Sequence, residues 1–181
     1  AIENARLVEA ERKRLEELTV LYALATVGVE ATNVETLIQH AIQIIGDILR
    51  PDYFGVGLVD EAAGVLRVCR STRSAPMERL TVPLGRGVAG QVVATGQPRR
   101  IPDVSREPVY LPVNPGARSE LCVPLKVGKR VIGLINSEST RPDAFSEADE
   151  RLMTASAAQL ATAIEKARLF QAAQRQREAA A

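Results

Sequence analysis

Few groups in this chain can do chemistry: two cysteines, one histidine, and polar side chains gathered around a proline-rich stretch. Cys69 and Cys122 sit in apolar, alternating runs, VLRVC and SELCV. Thiols so placed read as buried and free in a reducing compartment, because nucleophilic work needs an exposed thiolate. A Cys69–Cys122 disulfide stays open, since the separation and direction of the two Cβ atoms decide it. His40 falls in the polar gap of a helix beside Gln39 and Gln43. With no second histidine and no clustered cysteine, neither a metal site nor a cofactor is expected.

Residues 104–118 hold Pro108, Pro112, Pro115 and Gly116 and read as an irregular loop. Loops of that length inside compact domains are functional or disordered. Asp103, Arg106, Glu107, Tyr110 and Arg118 stand around it, with Ser119 and Cys122 just beyond. They are candidate contacts for an unknown small-molecule ligand, Arg118 pairing with a carboxylate or phosphate. A solvated loop is the equal alternative. Asn136 and Glu138 alternate on one side of a strand and either line a polar pocket or face water. Gly85-Arg86-Gly87 opens a short helix whose free amides could hold an anion, or is an ordinary turn. Arg99-Arg100 reads as a solvated basic pair.

These groups need a scaffold, and the hydrophobic period supplies it. Residues 1–31 read as one helix, with Leu7, Leu15, Leu18, Leu21, Tyr22 and Ala25 at three- and four-residue spacing. Asn33 is a candidate cap for a second helix reaching Leu49, striped by Leu37, Ile38, Ala41, Ile42, Ile44 and Ile45. Residues 53–60 and 65–72 alternate as a hairpin, and 80–84 as a short strand. A short helix over 88–94, a strand over 99–103, and strands over 120–127 and 130–138 follow. Pro124 predicts an edge position or a bulge. Gly133 predicts close approach of a helix backbone, and Gly90 lets its own helix lie close to a neighbour. Ser146 caps a last helix running into the 170s, with Glu147, Asp149 and Glu150 in its first turn.

Composition limits the partners. Basic and acidic residues number 23 and 22, a net charge of +1, so no electrostatic footprint for nucleic acid or anionic membrane exists. Aromatics are 3% with no Trp, which argues against a base-stacking surface. Hydrophobic residues at 46% allow a buried core. No apolar run nears the ~20 residues that span a bilayer, and no signal peptide is evident, so a cytoplasmic location is expected. Residues 1–10 (AIENARLVEA) and 163–172 (AIEKARLFQA) agree at seven of ten positions. A repeat at domain length predicts tandem domains. The reading is a linker helix over 1–18 continuing from a preceding domain, a globular domain over 19–170, and the start of a further linker over 171–181.

The middle of the chain resembles the GAF domain. The stretches are LGRGVAG (84–90), IPDV (101–104), SELCVPL (119–125) and VIGLINSES (131–139), followed by FSEADE (145–150). The resemblance implies an α+β, profilin-like fold. Its six-stranded antiparallel sheet has the N- and C-terminal helices packed on one face and short helices and loops over a pocket on the other. It also implies a homodimer through the terminal helices, which carry signals to attached domains. Haem-binding relatives need an axial ligand, and bilin-binding relatives a linking Cys beside a His; neither is evident. A branch that reduces free methionine sulfoxide uses cysteines near the covering loop, and 104–118 holds none. Cyclic-nucleotide binders resemble an Asn-Lys pair where Arg141-Pro142 stands here, although Phe145, Asp149 and Glu150 are kept.

The resulting expectation is a regulatory domain of a multidomain bacterial signal-transduction protein of the two-component kind, and not itself an enzyme. It would sense a small molecule and form a parallel coiled-coil dimer through residues 1–27 and 150–178. Leu7, Leu15, Leu18, Leu160, Ile164 and Ala167 would make that contact. An output domain such as a histidine kinase or diguanylate cyclase would follow. The alternatives are a spacer domain whose pocket is filled by its own side chains, and an enzyme like the methionine sulfoxide reductases.

Overall fold

Asn33 accepts the Glu35 and Thr36 amides at 2.8 and 3.2 Å and so starts a helix. Ser146 starts another, with a reciprocal bond from its own amide to the Asp149 carboxylate at 2.7 Å. In the computed structural model, which describes residues 1–72 and 75–181, these are α2 (Val34–Leu49) and α4 (Glu147–Ala179). The other helices are α1 (Ile2–Glu30) and α3 (Gly87–Thr95). The strands are β1 (Tyr53–Asp60), β2 (Val65–Thr72), β3 (Ala75–Pro83), β4 (Arg99–Ile101), β5 (Ser119–Val127) and β6 (Arg130–Ser139).

All six strands join one antiparallel sheet in the order β3-β2-β1-β6-β5-β4. The central pair β1–β6 therefore joins two three-stranded halves. β3 is longer than its apolar alternation predicts, because Glu78 and Arg79 break the pattern while pairing with β2 holds the backbone extended. Pro124 sits where β5 lacks an outer partner, since β4 pairs only with Glu120, Leu121 and Cys122. A register shift follows at once, between Leu125 and Lys126.

α2 and α4 cover one face of the sheet. Leu37, Ile38, Ala41, Ile42 and Ile45 of α2 and Met153, Ala157, Leu160, Ala161 and Ile164 of α4 pack with Phe54, Val56, Leu121, Val123 and Ile135. α1 lies on these two helices and buries only Val20, Leu24 and Gly28. A smaller cluster on the opposite face gathers Leu66, Val88, Val92, Ile101, Val104, Cys122 and Leu134. Among the described residues no helix is long and apolar enough to cross a membrane.

Two expectations change here. Leu160, Ile164 and Ala167 do not face a partner: they are 1%, 0% and 0% exposed within the domain's own core. Helical spacing marks an apolar face without saying what covers it. Leu7, Leu15 and Leu18 do stay exposed, and the repeated AIE string has opposite fates, with Ile2 76% exposed and Ile164 0%. Gly133 admits a neighbouring strand rather than a helix, since a Cβ there would overlap the Gly57 carbonyl of β1.

Candidate functional site

The face of β1, β5 and β6 turned away from α2 and α4 carries the polar groups. Side chains alternate along a strand, and residues directly opposite each other share a face. The register sets Glu120 opposite Glu138 and Cys122 opposite Asn136 across β5–β6. On the β1 side, Tyr53 lies opposite Glu138 and Gly55 opposite Asn136. Above them is a cavity of about 100 Å³, lined also by Leu66, Val68, Leu80, Val82 and Leu134, by Arg86–Ala89, and by Tyr110, Leu111, Val113 and Asn114. That is room for several waters or a small ligand.

The two carboxyl groups are 4% and 3% exposed. The Tyr110 hydroxyl donates to Glu138 at 3.2 Å, and the Asn114 amide donates to the same carboxylate. The Asn136 side chain bonds Glu120, yet Glu120 Oε2 and Asn136 Oδ1 have no partner among the described residues. Burial first, and then the charge of Glu138, push the Glu120 carboxyl up to about 8 against the pull of Asn136 and Arg99. Burial, followed by Glu138, also pushes the Tyr110 hydroxyl up.

The other end of the cavity is electropositive. Gly85 and Gly87 take φ of 78° and 71° around Arg86, which begins α3 without a side-chain cap. A Cβ at Gly90 would lie 2.6 Å from the Gly85 carbonyl carbon, so the turn folds tightly against the helix. The amides of Gly87, Val88 and Ala89 precede the first intrahelical bond, from Gly90 N to Arg86 O at 2.9 Å. They leave a positive helix end beside the cavity.

The covering loop is tied down at several points. Tyr53 Oη donates to the Pro115 carbonyl at 2.7 Å. Arg99 holds Glu107 at 2.7 Å and also bonds Gln91. Arg118 N donates to the Ser139 carbonyl at 2.7 Å. Arg99 and Arg100 are therefore not a solvated pair, and Arg100 holds Glu150 at 3.1 Å at the start of α4.

Tyr110, Asn136 and Glu138 are thus brought together in the cavity wall. Cys122 shares their face but lies in the apolar cluster. Asp103, Arg106, Arg118 and Ser119 are not among the lining residues. Asp103 caps a 3-10 turn through Ser105 at 3.0 Å and lies 3.5 Å from the well-exposed Arg106. Ser119 points to the other face and donates to the Arg141 carbonyl at 2.7 Å. Glu120, Asn114 and Tyr53 were missed, whereas the α3 entry, read in sequence as an anion site or an ordinary turn, lies at the cavity. For Glu120 the signal was present: a carboxylate inside an otherwise apolar strand is seldom buried without a role.

The cysteines stand on opposite faces, Cys69 opposite Val56 and Cys122 opposite Asn136, so no disulfide joins them. Cys69 is only half-buried, and burial pushes both thiols up, Cys122 strongly. Native alkylation with iodoacetamide should modify Cys69 slowly and Cys122 only after unfolding. Equal labelling of both thiols in the native protein, read by peptide mass, would refute this placement.

The sequence profile of the GAF domain matches residues 33–164. Protein YtsP of Bacillus subtilis is 34% identical over 86 residues, 48% of this chain and 50% of that protein. The free methionine-R-sulfoxide reductase of Escherichia coli is 35% identical over 79 residues, 44% of this chain and 48% of that protein. The chain thus spans about half the length of these curated relatives. The free methionine-R-sulfoxide reductase of Neisseria meningitidis, solved with its substrate, superposes with a TM-score of 0.75 at 25% identity, over 84% of this chain and 90% of that one. The two reductases are enzymes, and likeness to them overturns the expectation of a chain without an enzymatic role. That expectation rested on the lack of a cysteine in 104–118 and of a visible resolving partner for the strand-borne Cys122, which do not define the whole fold's chemistry.

Proposed function

The chain belongs to the GAF domain family, and on that footing we propose that its cavity binds a small free amino acid with an apolar or thioether side chain. The supporting observation is the cavity's two unlike ends. Buried acceptors, Glu120, Asn136 and Glu138, suit an α-ammonium group, while the α3 amides and Arg86 suit an α-carboxylate. Leu66, Val68, Leu80 and Val82 offer apolar walls for the side chain. The similar reductases, which act on free methionine-R-sulfoxide, make methionine and its sulfoxide the first compounds to try.

The test is a thermal-shift series. At a hundred times its Kd a ligand stabilises by about 2.7 kcal/mol. L-methionine or its R-sulfoxide should raise Tm by several degrees, and N-acetyl-L-methionine, which has no ammonium, should not. Stabilisation by cyclic nucleotides but by no free amino acid would refute the reading.

Sensing follows from the site's connections. Asp52 N donates to the Glu138 carbonyl at 3.0 Å, and its carboxylate accepts Thr140 N at 2.7 Å. A ligand held at Glu138 thus acts on the segment that leads into α4. It would favour one packing of α4 and α1 over another. Exposed Leu7, Leu15 and Leu18 of α1, with Leu169 and Phe170 of α4, furnish a homodimer face through which that change passes to attached domains. Sedimentation showing a monomer at tens of micromolar counts against the dimer.

Likeness to the reductases favours a second, catalytic reading, with Cys122 as the thiol on the cavity's face. Consumption of free methionine-R-sulfoxide with a thiol reductant would reveal it. Activity unchanged in Cys122→Ala would exclude Cys122 as nucleophile.

A further inference from the structure

We propose that the edge strand β4 is a lever: Arg99 and Arg100 are positioning residues that tie the cavity's cover, on one face of the sheet, to the first turn of α4 on the other. The coupling holds whichever small molecule the cavity takes, so it stands apart from the amino-acid reading. It is also separate from the route through Asp52 and Thr140.

The contacts of two adjacent residues carry the inference. Neighbouring residues of a strand point to opposite faces. Arg99 lies opposite Cys122, on the cavity face, and there it holds Glu107 of the covering loop at 2.7 Å and bonds Gln91 of α3. Against burial, which raises the Glu120 carboxyl, the charge of Arg99 pulls it down, so Arg99 is felt inside the cavity. Arg100 lies opposite Leu121, whose side chain belongs to the core beneath α2 and α4. It holds Glu150 at 3.1 Å and donates to the Phe145 carbonyl at 3.4 Å, with Glu147 at 3.8 Å. These three stand at the start of α4. One dipeptide thus grips the cover with one side chain and the helix with the next.

The strand is built to move as a unit. It has three residues, Arg99–Ile101, and pairs with β5 alone. Pro98 and Pro102 flank it, and their rings fix φ at each end. Ile101 lies opposite Glu120, so the strand pairs with the cavity's own wall. At its exit Asp143 N donates to the Pro102 carbonyl at 2.8 Å, which joins it to the segment before α4. Elements with few buried contacts and few pairs open and shift most readily. A ligand that draws α3 and the covering loop together shifts Arg99, and Arg100 carries the shift to α4. By linkage, a change in the packing of α4 acts back on the cover with the same free energy.

Amide hydrogen exchange of the ligand-free protein, read residue by residue, tests the lever without any ligand. Glu107→Gln weakens the grip on the cavity face, across the sheet from α4. The amides of residues 150–153 should then exchange roughly fivefold faster or more, the low end of coupling between distinct sites. Residues 160–164, deeper in α4, should keep their rates. Gln91→Met, which removes the other contact of Arg99, should act alike. In an Arg100→Gln background the lever is cut, and adding Glu107→Gln should leave residues 150–153 unchanged. Unaltered rates at 150–153 in both Glu107→Gln and Gln91→Met overturn the proposal. A full effect that persists with Arg100→Gln overturns it as well, because the coupling then travels another way. Equal acceleration at 160–164 marks a general loosening of the domain and also overturns it.

Discussion

Glu120→Gln should make the ligand-free domain more stable in mild alkali and leave it nearly unchanged in mild acid. The Glu120 carboxyl is raised from 4.5 to about 8 by folding, so between those values the folded chain holds a proton that the unfolded chain has lost. Stability from this group is fully present below the unfolded value, drains away as pH rises, and is gone once pH passes the folded value. Glutamine fills the same space and never ionises. A tenfold change in a group's proton affinity corresponds to about 1.36 kcal/mol, and Glu138 and Asn136 respond to the change, so a gain of about 2–4 kcal/mol at pH 9 is expected. For a chain of this size that is a rise in Tm of roughly 5–12 °C. Thermal melts of both proteins at pH 5, 7 and 9 read the difference, and an equal gap at all three values would refute it. The gain should come with loss of stabilisation by L-methionine, since a binding site of this kind stores instability in the empty state.

Gly133→Ala should act in the opposite direction and at every pH. A Cβ at Gly133 would overlap the Gly57 carbonyl and lie 3.2 Å from Leu125 Cδ1. The obstructing group is backbone, so no change of rotamer relieves it. Relief must come from parting β1 and β6, the pair that joins the two halves of the sheet. Overpacking of this kind costs about 3 kcal/mol or more. Gly57→Ala is the informative comparison, because its new Cβ meets the tip of the Leu66 side chain, which can move. Urea denaturation should rank wild type above Gly57→Ala and Gly57→Ala above Gly133→Ala. A Gly133→Ala midpoint equal to that of wild type would show that β1 and β6 do not approach as described.

Much of the architecture was legible because it depends on neighbours in sequence. The Asn33 and Ser146 caps need only the amides two and three residues on. The stripe on α2 and the alternation of β1 and β2 are periods that the chain carries by itself. The candidate site was harder. Tyr110, Asn136 and Glu138 were found as polar residues in suggestive places. Asp103, Arg106, Arg118 and Ser119 looked the same in sequence but serve local turns and the opposite face. Leu160, Ile164 and Ala167 had the spacing of a dimer face and proved to be core.

Glu120 shows where sequence stops. The Gly128-Lys129 turn starts the β5–β6 pairing with Val127 opposite Arg130 and Lys126 opposite Val131. Continued without interruption, that register would set Glu120 opposite Ser137 and turn the two carboxylates to opposite faces. The shift between Leu125 and Lys126 moves every later pair by one residue, and Glu120 comes to face Glu138. Strand period, helix stripes, caps and turn were settled by the amino-acid sequence itself. The coming together of two acids in one cavity was settled by a one-residue slip. Side chains alternate with period two, so such a slip exchanges the faces, and only the assembled sheet fixes where it falls.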